Sequence, residues 1–447
     1  MQRTGMDRGS VPGLDTHTGC IEEYVRVCTS LDEAAQLDNA EKLSLTIAAC
    51  NYMTATGVRV NRSALAAASA TASVAAVAAE LPARWRVAAA LAERGAAALD
   101  AAEGGTWHIV HGQFKLGHHD QARASHLLHT VPRDMRQHFL PPPGCRVVSV
   151  DLTAVDFYAA MLLTGGALDA NNDQYTSLAD VIFLPDDMRT AVAAHLRRPL
   201  VKDAALKVLY GGDAAARAAA KAHGLDDFGA NRVVNLIRLR LKRGELERMA
   251  AFYTTHAASL DGAIVMRPPK SAAADAPSGA AQDAAWKRTV VNIVVAGASS
   301  IACRGALAAL HDATVVGVSA ARATALVVAA GALVAAAGAP SATTGAPVAA
   351  AFDETPGGAR LAATLTWWLH DCFYLTARAD RAAAVAAVAR AIVIEAAEAA
   401  VDVQLAALPG RAHVHFDGLR TLLRGGMKAR FPAKAAVSAT FAPASGA

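Results

Sequence analysis

The sequence predicts an α+β fold, dominated by helix and carrying one antiparallel sheet. Three observations lead there. The chain has 447 residues and 53% hydrophobic content, enough for a large core spread over two or three domains. Much of that fraction is alanine and only 5% of residues are aromatic, a composition that favours helix while burying little area per side chain. Against this background two short β-rich runs stand out, Arg146–Val150 and Leu365–Leu375.

Charge and cysteine usage narrow the function classes. The formal net charge is +4 and the sequence pI about 8.7, a weakly basic balance that tolerates a polyanionic partner without demanding one. The six cysteines are scattered and form no CxxC pair, so a disulfide scaffold and a clustered zinc site are both disfavoured. That usage predicts an intracellular, reducing compartment. Residues 1–20 carry charges and no apolar core of a secretory signal. The stretch nearest to membrane-span length, Ala323–Ala339, is mostly Ala, Gly and Val, and reads as an Ala-rich helix or low-complexity insert. No membrane association is expected.

Composition divides the chain into a lead at 1–40, a helical region from about 41 to 103 that is polar at its start and Ala-rich later, and a mixed centre with strands. A Pro-, Ser- and Gly-bearing insert follows at 268–287. The rear, 288–427, combines helix and hairpin and contains a second low-complexity insert at 312–358, and 428–447 forms a basic, then small and polar tail.

The strands deliver acids. Arg146–Val150 follows a Pro141-Pro142-Pro143-Gly144 turn and leads straight into Asp151. Leu365–Leu369, then His370-Asp371-Cys372, then Phe373–Leu375 reads as a hairpin with a carboxylate in its turn, which would put one Asp on each of two neighbouring strands. Between them, Arg198, Lys202, Leu206 and Tyr210 recur every four residues, a slowly rotating helical stripe about 18 Å long. Pro199 predicts a helix start near Arg198, and Gly211-Gly212 predicts its end. A helix start bearing Arg and Lys suits a triphosphate, although an amphipathic surface helix has the same spacing.

That stripe, Arg-x3-Lys-x3-Leu-x3-Tyr-Gly, resembles motif B of family A DNA polymerases. Val150-Asp151-Leu152-Thr153-Ala154-Val155-Asp156 is similar to the family's motif A, and Leu369-His370-Asp371-Cys372 to its motif C. Upstream, Arg123-Ala124-Ser125, Leu128–Pro132 and Arg136–Phe139 look like a shortened form of the run that precedes motif A, and Met53–Asn61 resembles the entry to the thumb. Asp173-Gln174-Tyr175 with Ala179 fits the segment between motifs A and B, and Arg288–Asn292 with Gly297-Ala298-Ser299 resembles the palm helix before motif C. The segments occur in family order across roughly residues 41–425.

The resemblance implies an α+β right-hand polymerase fold, with a thumb-like helical region at 41–122, an antiparallel palm sheet from 123–170 (motif A) and 288–427 (motif C), and helical fingers at 171–267 (motif B). It implies transfer of dNTPs to a primer 3′-hydroxyl with two Mg²⁺ ions held by Asp151 and Asp371. Lys202 and Arg198 would hold the triphosphate, Lys202 would also protonate the leaving pyrophosphate, and Tyr210 would close the helix on the templating position. Leu206 stands beneath the sugar, and Asp156 fills a Glu slot that blocks a ribose 2′-hydroxyl. His370 would brace the primer end, and Arg123, Arg288 and Asn292 would contact primer-template DNA without sequence preference. About 40 residues precede the thumb-like entry, so no proofreading exonuclease is expected.

Three positions depart from the family. Leu206 replaces an aromatic residue, Ala296 a Gln, and Cys372 the Glu of motif C. Two other readings stay open on sequence, a single-subunit DNA-directed RNA polymerase and a catalytically degenerate DNA-binding protein of polymerase fold. The arginine-rich run Arg232, Arg238, Arg240, Lys242, Arg243 is more often a solvated face than a template contact, and Trp367-Trp368 is read as packing rather than base stacking.

Overall fold

The computed structural model describes residues 33–61, 107–110, 114–115, 125–126, 136–137, 139–164, 173–254, 256–258, 264–267, 279–336, 348–407 and 431–441. Helix α1 spans Glu33–Thr56, followed by β1 (Val58–Asn61), β2 (Trp107–Val110), β3 (Phe114–Lys115), β4 (Ser125–His126), β5 (Phe139–Leu140) and β6 (Cys145–Leu152). A helical stretch then comprises α2 (Val155–Leu163), α3 (Gln174–Ile182), α4 (Asp186–Ala191), α5 (Ala194–Leu206), a π turn at Lys207–Gly211, α6 (Asp213–Ala222), α7 (Asp227–Arg240) and α8 (Arg243–Phe252). After β7 (His256–Ala258) and β8 (Ile264–Met266) come α9 (Gly279–His311), α10 (Ala320–Ala336), β9 (Phe352–Thr355), β10 (Gly358–Leu361), β11 (Ala363–Leu369), β12 (Cys372–Arg378), α11 (Ala382–Ala407) and β13 (Ala433–Ser438).

Four strands in the order β11-β12-β6-β13, all antiparallel, form the sheet that matters for the site. Alternation along β6 explains its two faces. Val148, Val150 and Leu152 point into the main core, whereas Val147 belongs to a separate cluster with Trp367, Tyr374 and Phe441. The Trp367 ring lies 5.4–5.9 Å from those of Phe139, Tyr374 and Phe441, so it is packing, as read from the sequence. Asp151 lies on that second face, one step beyond Ser149, where the sheet ends.

The alanine excess has a packing use. A β-carbon added at Gly305 on α9 would sit 2.4 Å from the Ala400 Cβ and 2.9 Å from the Ala396 carbonyl on α11. Small residues on both helices therefore set the close approach of two long core helices. Helix α9 with the turn after it (Gly279–Val316) is long and apolar enough to cross a membrane, but 89% of its most apolar 18-residue window is buried inside the protein. It is a core helix. The sequence reading had singled out Ala323–Ala339 instead, and the described part of that stretch is the Ala-rich helix α10, with Leu326 and Ala330 buried.

Several expected boundaries differ. Helix begins at Glu33, inside the segment read as a lead, and strands β1, β2 and β3 fall in the region read as helical. Helix α9 starts at Gly279, inside the first insert, because the Ala-rich run after Gly279 can continue a helix once past the prolines. The second insert is largely ordered in its described part. Residues 312–336 and 348–358 hold a π turn, α10 and the β9–β10 hairpin, and a bridge from Val318 to Ala359 ties the hairpin to the link between the π turn and α10.

Candidate active site

Two acids meet at one end of the sheet. Asp151 pairs in register with Cys372 across the β6–β12 ladder, and Asp371 occupies the two-residue turn between β11 and β12. That turn needs a positive φ at its first central position, and His370 adopts it at 57°. Trp368 Nε1 donates to the His370 carbonyl at 2.7 Å, and the Leu152 amide donates to the Asp371 carbonyl at 2.8 Å. The sheet and a buried indole thus fix the acid-bearing turn from both sides.

The cations of the helical stripe act on these acids, Lys202 on both and Arg198 on Asp151, with one correction to the helix itself. Helix α5 begins at Ala194, not near Arg198, and Pro199 lies inside it. The proline deprives the His195 carbonyl of its partner, but His195 is exposed and water can take its place. The expected end is where the sequence put it, at Gly212, whose φ of 88° closes the π turn through a 2.6 Å bond from its amide to the Lys207 carbonyl. Lys202 is exposed on α5, while Arg198, Leu206 and Tyr210 are half-buried, with Tyr210 packed against the main core.

Arg198 already has an anion. Its Nε lies 2.5 Å from Asp173 Oδ2, and its guanidinium stands 5.9 Å from the centre of the Tyr175 ring. Asp173 is 8% exposed in its side chain and also caps α3 by accepting from the Tyr175 amide at 3.1 Å. On its other side, Lys434 Nζ from β13 lies 3.8 Å from the same oxygen.

The acids feel one another. Burial pushes Asp151 up to about 6, against the opposing fields of Lys202, Lys434 and Arg198, with Asp173 adding to the rise. Burial, and then the Asp151 and Asp156 carboxylates, push Asp371 up to about 7 despite Lys202. The Tyr175 phenol is held far above its usual value by burial and by Asp156, Asp371 and Asp173. Burial likewise raises the Cys372 thiol, next to Asp151, so it stays a neutral thiol rather than a thiolate. These dependences gather Asp151, Asp156, Asp173, Asp371, Arg198, Lys202 and Lys434 into one electrostatic cluster.

A pocket beside the turn is lined by Val155, Asp156, Ser299, Ser300, Cys303, Trp368, His370 and Asp371. Asp156 opens α2 and reaches it because Ala154 takes a left-handed φ of 55° immediately before the helix. His370 is exposed at its rim. Of the expected DNA contacts, Arg288 is exposed and Asn292 half-buried on α9, seven and more residues before Ser299, so they lie along the helix rather than at the acids. Arg123 lies outside the described residues.

Some readings resolve toward structure. Within the basic run, Arg238 pairs with Asp213 and Glu247, Arg240 donates to Gln174 Oε1 at 3.0 Å, and Arg243 is buried against the Leu209 carbonyl and Glu247. Arg232 donates to the Ile182 carbonyl at 3.4 Å. Arg232, Arg238 and Arg240 hold α7 to its neighbours, and Arg243 holds α8 to the π turn. Sequence reasoning missed Lys434, which it left in a tail, along with Ser299, Ser300 and Cys303 as pocket lining and Asp173 as the partner of Arg198. Only Asp173 had a local signal, as a capping Asp before an apolar helical run.

The residues present suit a hard divalent cation of one kind. Among the described residues no group of three or more His, Cys, Asp or Glu side chains is placed to enclose an ion. Two carboxylates whose charges oppose each other match Mg²⁺, which is commonly bound by one or two carboxylates together with substrate phosphates. An added cation would relieve the repulsion that raises Asp371.

No family model and no curated protein matches the chain. Among solved structures, the fold is similar to the POL domain of Pol1 from M. smegmatis, a complex with DNA primer-template and dNTP. Identity is 15% and the TM-score 0.47, with 78% of this chain and 50% of that chain covered. The chain therefore spans half the length of that neighbour.

Proposed function

We propose that the protein is a template-directed DNA polymerase of the family A type, with a right-hand arrangement of palm, fingers and thumb. The observation that carries this reading is the meeting of Asp151 on β6 with Asp371 in the turn that leads into the neighbouring β12, with Lys202 of α5 acting on both carboxylates and Arg198 on Asp151.

In this reading Asp151 and Asp371 hold two Mg²⁺ ions. When bound, the ions would activate the primer 3′-hydroxyl and neutralise charge on the triphosphate. The α5 cations bind and orient the substrate. Lys202, exposed and facing the acids, holds the phosphates and donates a proton to pyrophosphate as it leaves. Arg198, now paired with Asp173, binds a phosphate through its guanidinium. Asp156, on the pocket wall beside Asp371, disfavours a 2′-hydroxyl, and His370 at the rim braces the primer end. Leu206 lies under the sugar and Tyr210 closes on the templating base. Arg288 and Asn292 follow the duplex along α9, and Arg123 joins them.

Primer extension on a primed template with Mg²⁺ tests the reading, run separately with dNTPs and with rNTPs. The expected result is dNTP incorporation, with Asp156→Ala raising rNTP incorporation at least tenfold. Preference for rNTPs in the unaltered protein would favour the RNA polymerase alternative, and duplex binding without any extension would favour the degenerate one.

A further inference from the structure

The C-terminal strand carries a cation that the motif-based account leaves unused. Lys434 stands directly across from Asp151 in the β13–β6 ladder, and cross-strand partners project from the same face of a sheet with Cβ atoms roughly 5 Å apart. Two bonds fix the strand at this point. The Thr153 amide donates to the Pro432 carbonyl at 2.8 Å, and Arg390 Nε from α11 donates to the Ala433 carbonyl at 2.6 Å. The backbone of Lys434 is therefore held while its side chain, 60% exposed, extends toward Asp173.

A lysine on an edge strand often serves only to block pairing with another chain. That role asks nothing of the direction of the side chain. Here the ammonium lies 3.8 Å from Asp173 Oδ2, the oxygen that Arg198 Nε approaches to 2.5 Å. Two cations, one from the helix and one from the sheet, thus converge on a single buried carboxylate beside Asp151. An anion larger than a carboxylate could engage both.

We propose that Lys434 is a third phosphate-binding residue of the nucleotide site, closing it from the sheet side opposite Arg198 and Lys202. The proposal rests on the polymerase reading above for the identity of the substrate, a nucleoside triphosphate. Asp173 holds Arg198 and Lys434 in place before the substrate arrives, and the terminal phosphates then bridge the two cations. Helix α5 and strand β13 are drawn onto one ligand by that bridge.

The test compares the full chain with Lys434→Ala and Lys434→Arg in two assays. In steady-state primer extension, Lys434→Ala should raise the dNTP KM about tenfold with kcat within about threefold, and Lys434→Arg should restore the KM. In calorimetry with inorganic tripolyphosphate, Lys434→Ala should weaken binding about tenfold, again restored by arginine. An unchanged KM together with unchanged tripolyphosphate affinity would overturn the proposal, as would a loss that Lys434→Arg does not recover. Should the unaltered protein extend no primer, the polymerase reading fails by itself, and the tripolyphosphate comparison still decides the role of Lys434.

Discussion

The two halves of the candidate site are built by different means. The acids sit on a sheet where Asp151 is held by pairing on both sides, to β12 and β13, and Asp371 by a turn locked with Trp368 and the Leu152 amide. The cations Arg198 and Lys202 sit on a helix that contains a proline, ends in a π turn, and secures Arg198 through one exchangeable ion pair. The contrast suits a division of labour. Under the proposed function, charges that must stay fixed are placed where many backbone bonds define position, and charges that would meet an arriving anion are placed on a helix surface. It also explains why the acids resist ionisation while Lys202 stays exposed, since rigidity was obtained by burial.

Truncating the brace should have the largest effect. Trp368→Ala removes a 97% buried indole and the bond that fixes the His370 carbonyl, and should destabilise the protein by about 3–5 kcal/mol in urea unfolding. A loss under about 1 kcal/mol would show that the turn is held by the ladder alone. On the helical side, Lys202→Ala should leave stability within about 0.5 kcal/mol, because the residue is exposed, yet lower kcat about 10²–10³-fold. Loss of stability instead of rate would erase the contrast between the halves.

A smaller effect tests burial. Asp371 has its folded value raised to about 7 from an ordinary 3.8, so the folded state binds the proton more tightly than the unfolded one. Without metal, stability should therefore be full at about pH 4 and should fall as pH rises through 7. Asp371→Asn should raise stability at pH 8 in chelator by about 1–3 kcal/mol and change little at pH 4, as melting curves at the two values would reveal. Addition of Mg²⁺ should stabilise the unaltered protein and not the variant. The smallest effect concerns the helix: Pro199→Ala restores a donor to the His195 carbonyl and should add no more than about 1 kcal/mol, measured by the same melts.

Much of this division could be read before the fold was known, and the reason is locality. Asp151 at the end of a β-branched run, Asp371 in a hairpin turn and the Gly pair after Tyr210 are all signalled within a few residues. The start of α5 was misplaced by four residues, because an exposed carbonyl tolerates a proline that a buried one would not. Lys434 was illegible for a different reason. Its strand, Ala-Lys-Ala-Ala-Val-Ser, has little apolar alternation, and it becomes a strand by pairing with β6, some 280 residues earlier in the chain. The arginines of α7 and α8 also look alike in sequence whether they meet DNA or Asp213 and Glu247, and only the packed helices decide.

The central claim is that Asp151 and Asp371 act together as the metal-binding pair of a nucleotidyl-transfer site. Primer extension with Mg²⁺ and dNTPs, comparing the unaltered chain with Asp151→Ala and Asp371→Ala, tests it most directly. Each substitution should abolish detectable extension, a loss of at least about 10³-fold, while both proteins remain folded at pH 8. Extension that persists in both variants would contradict the account.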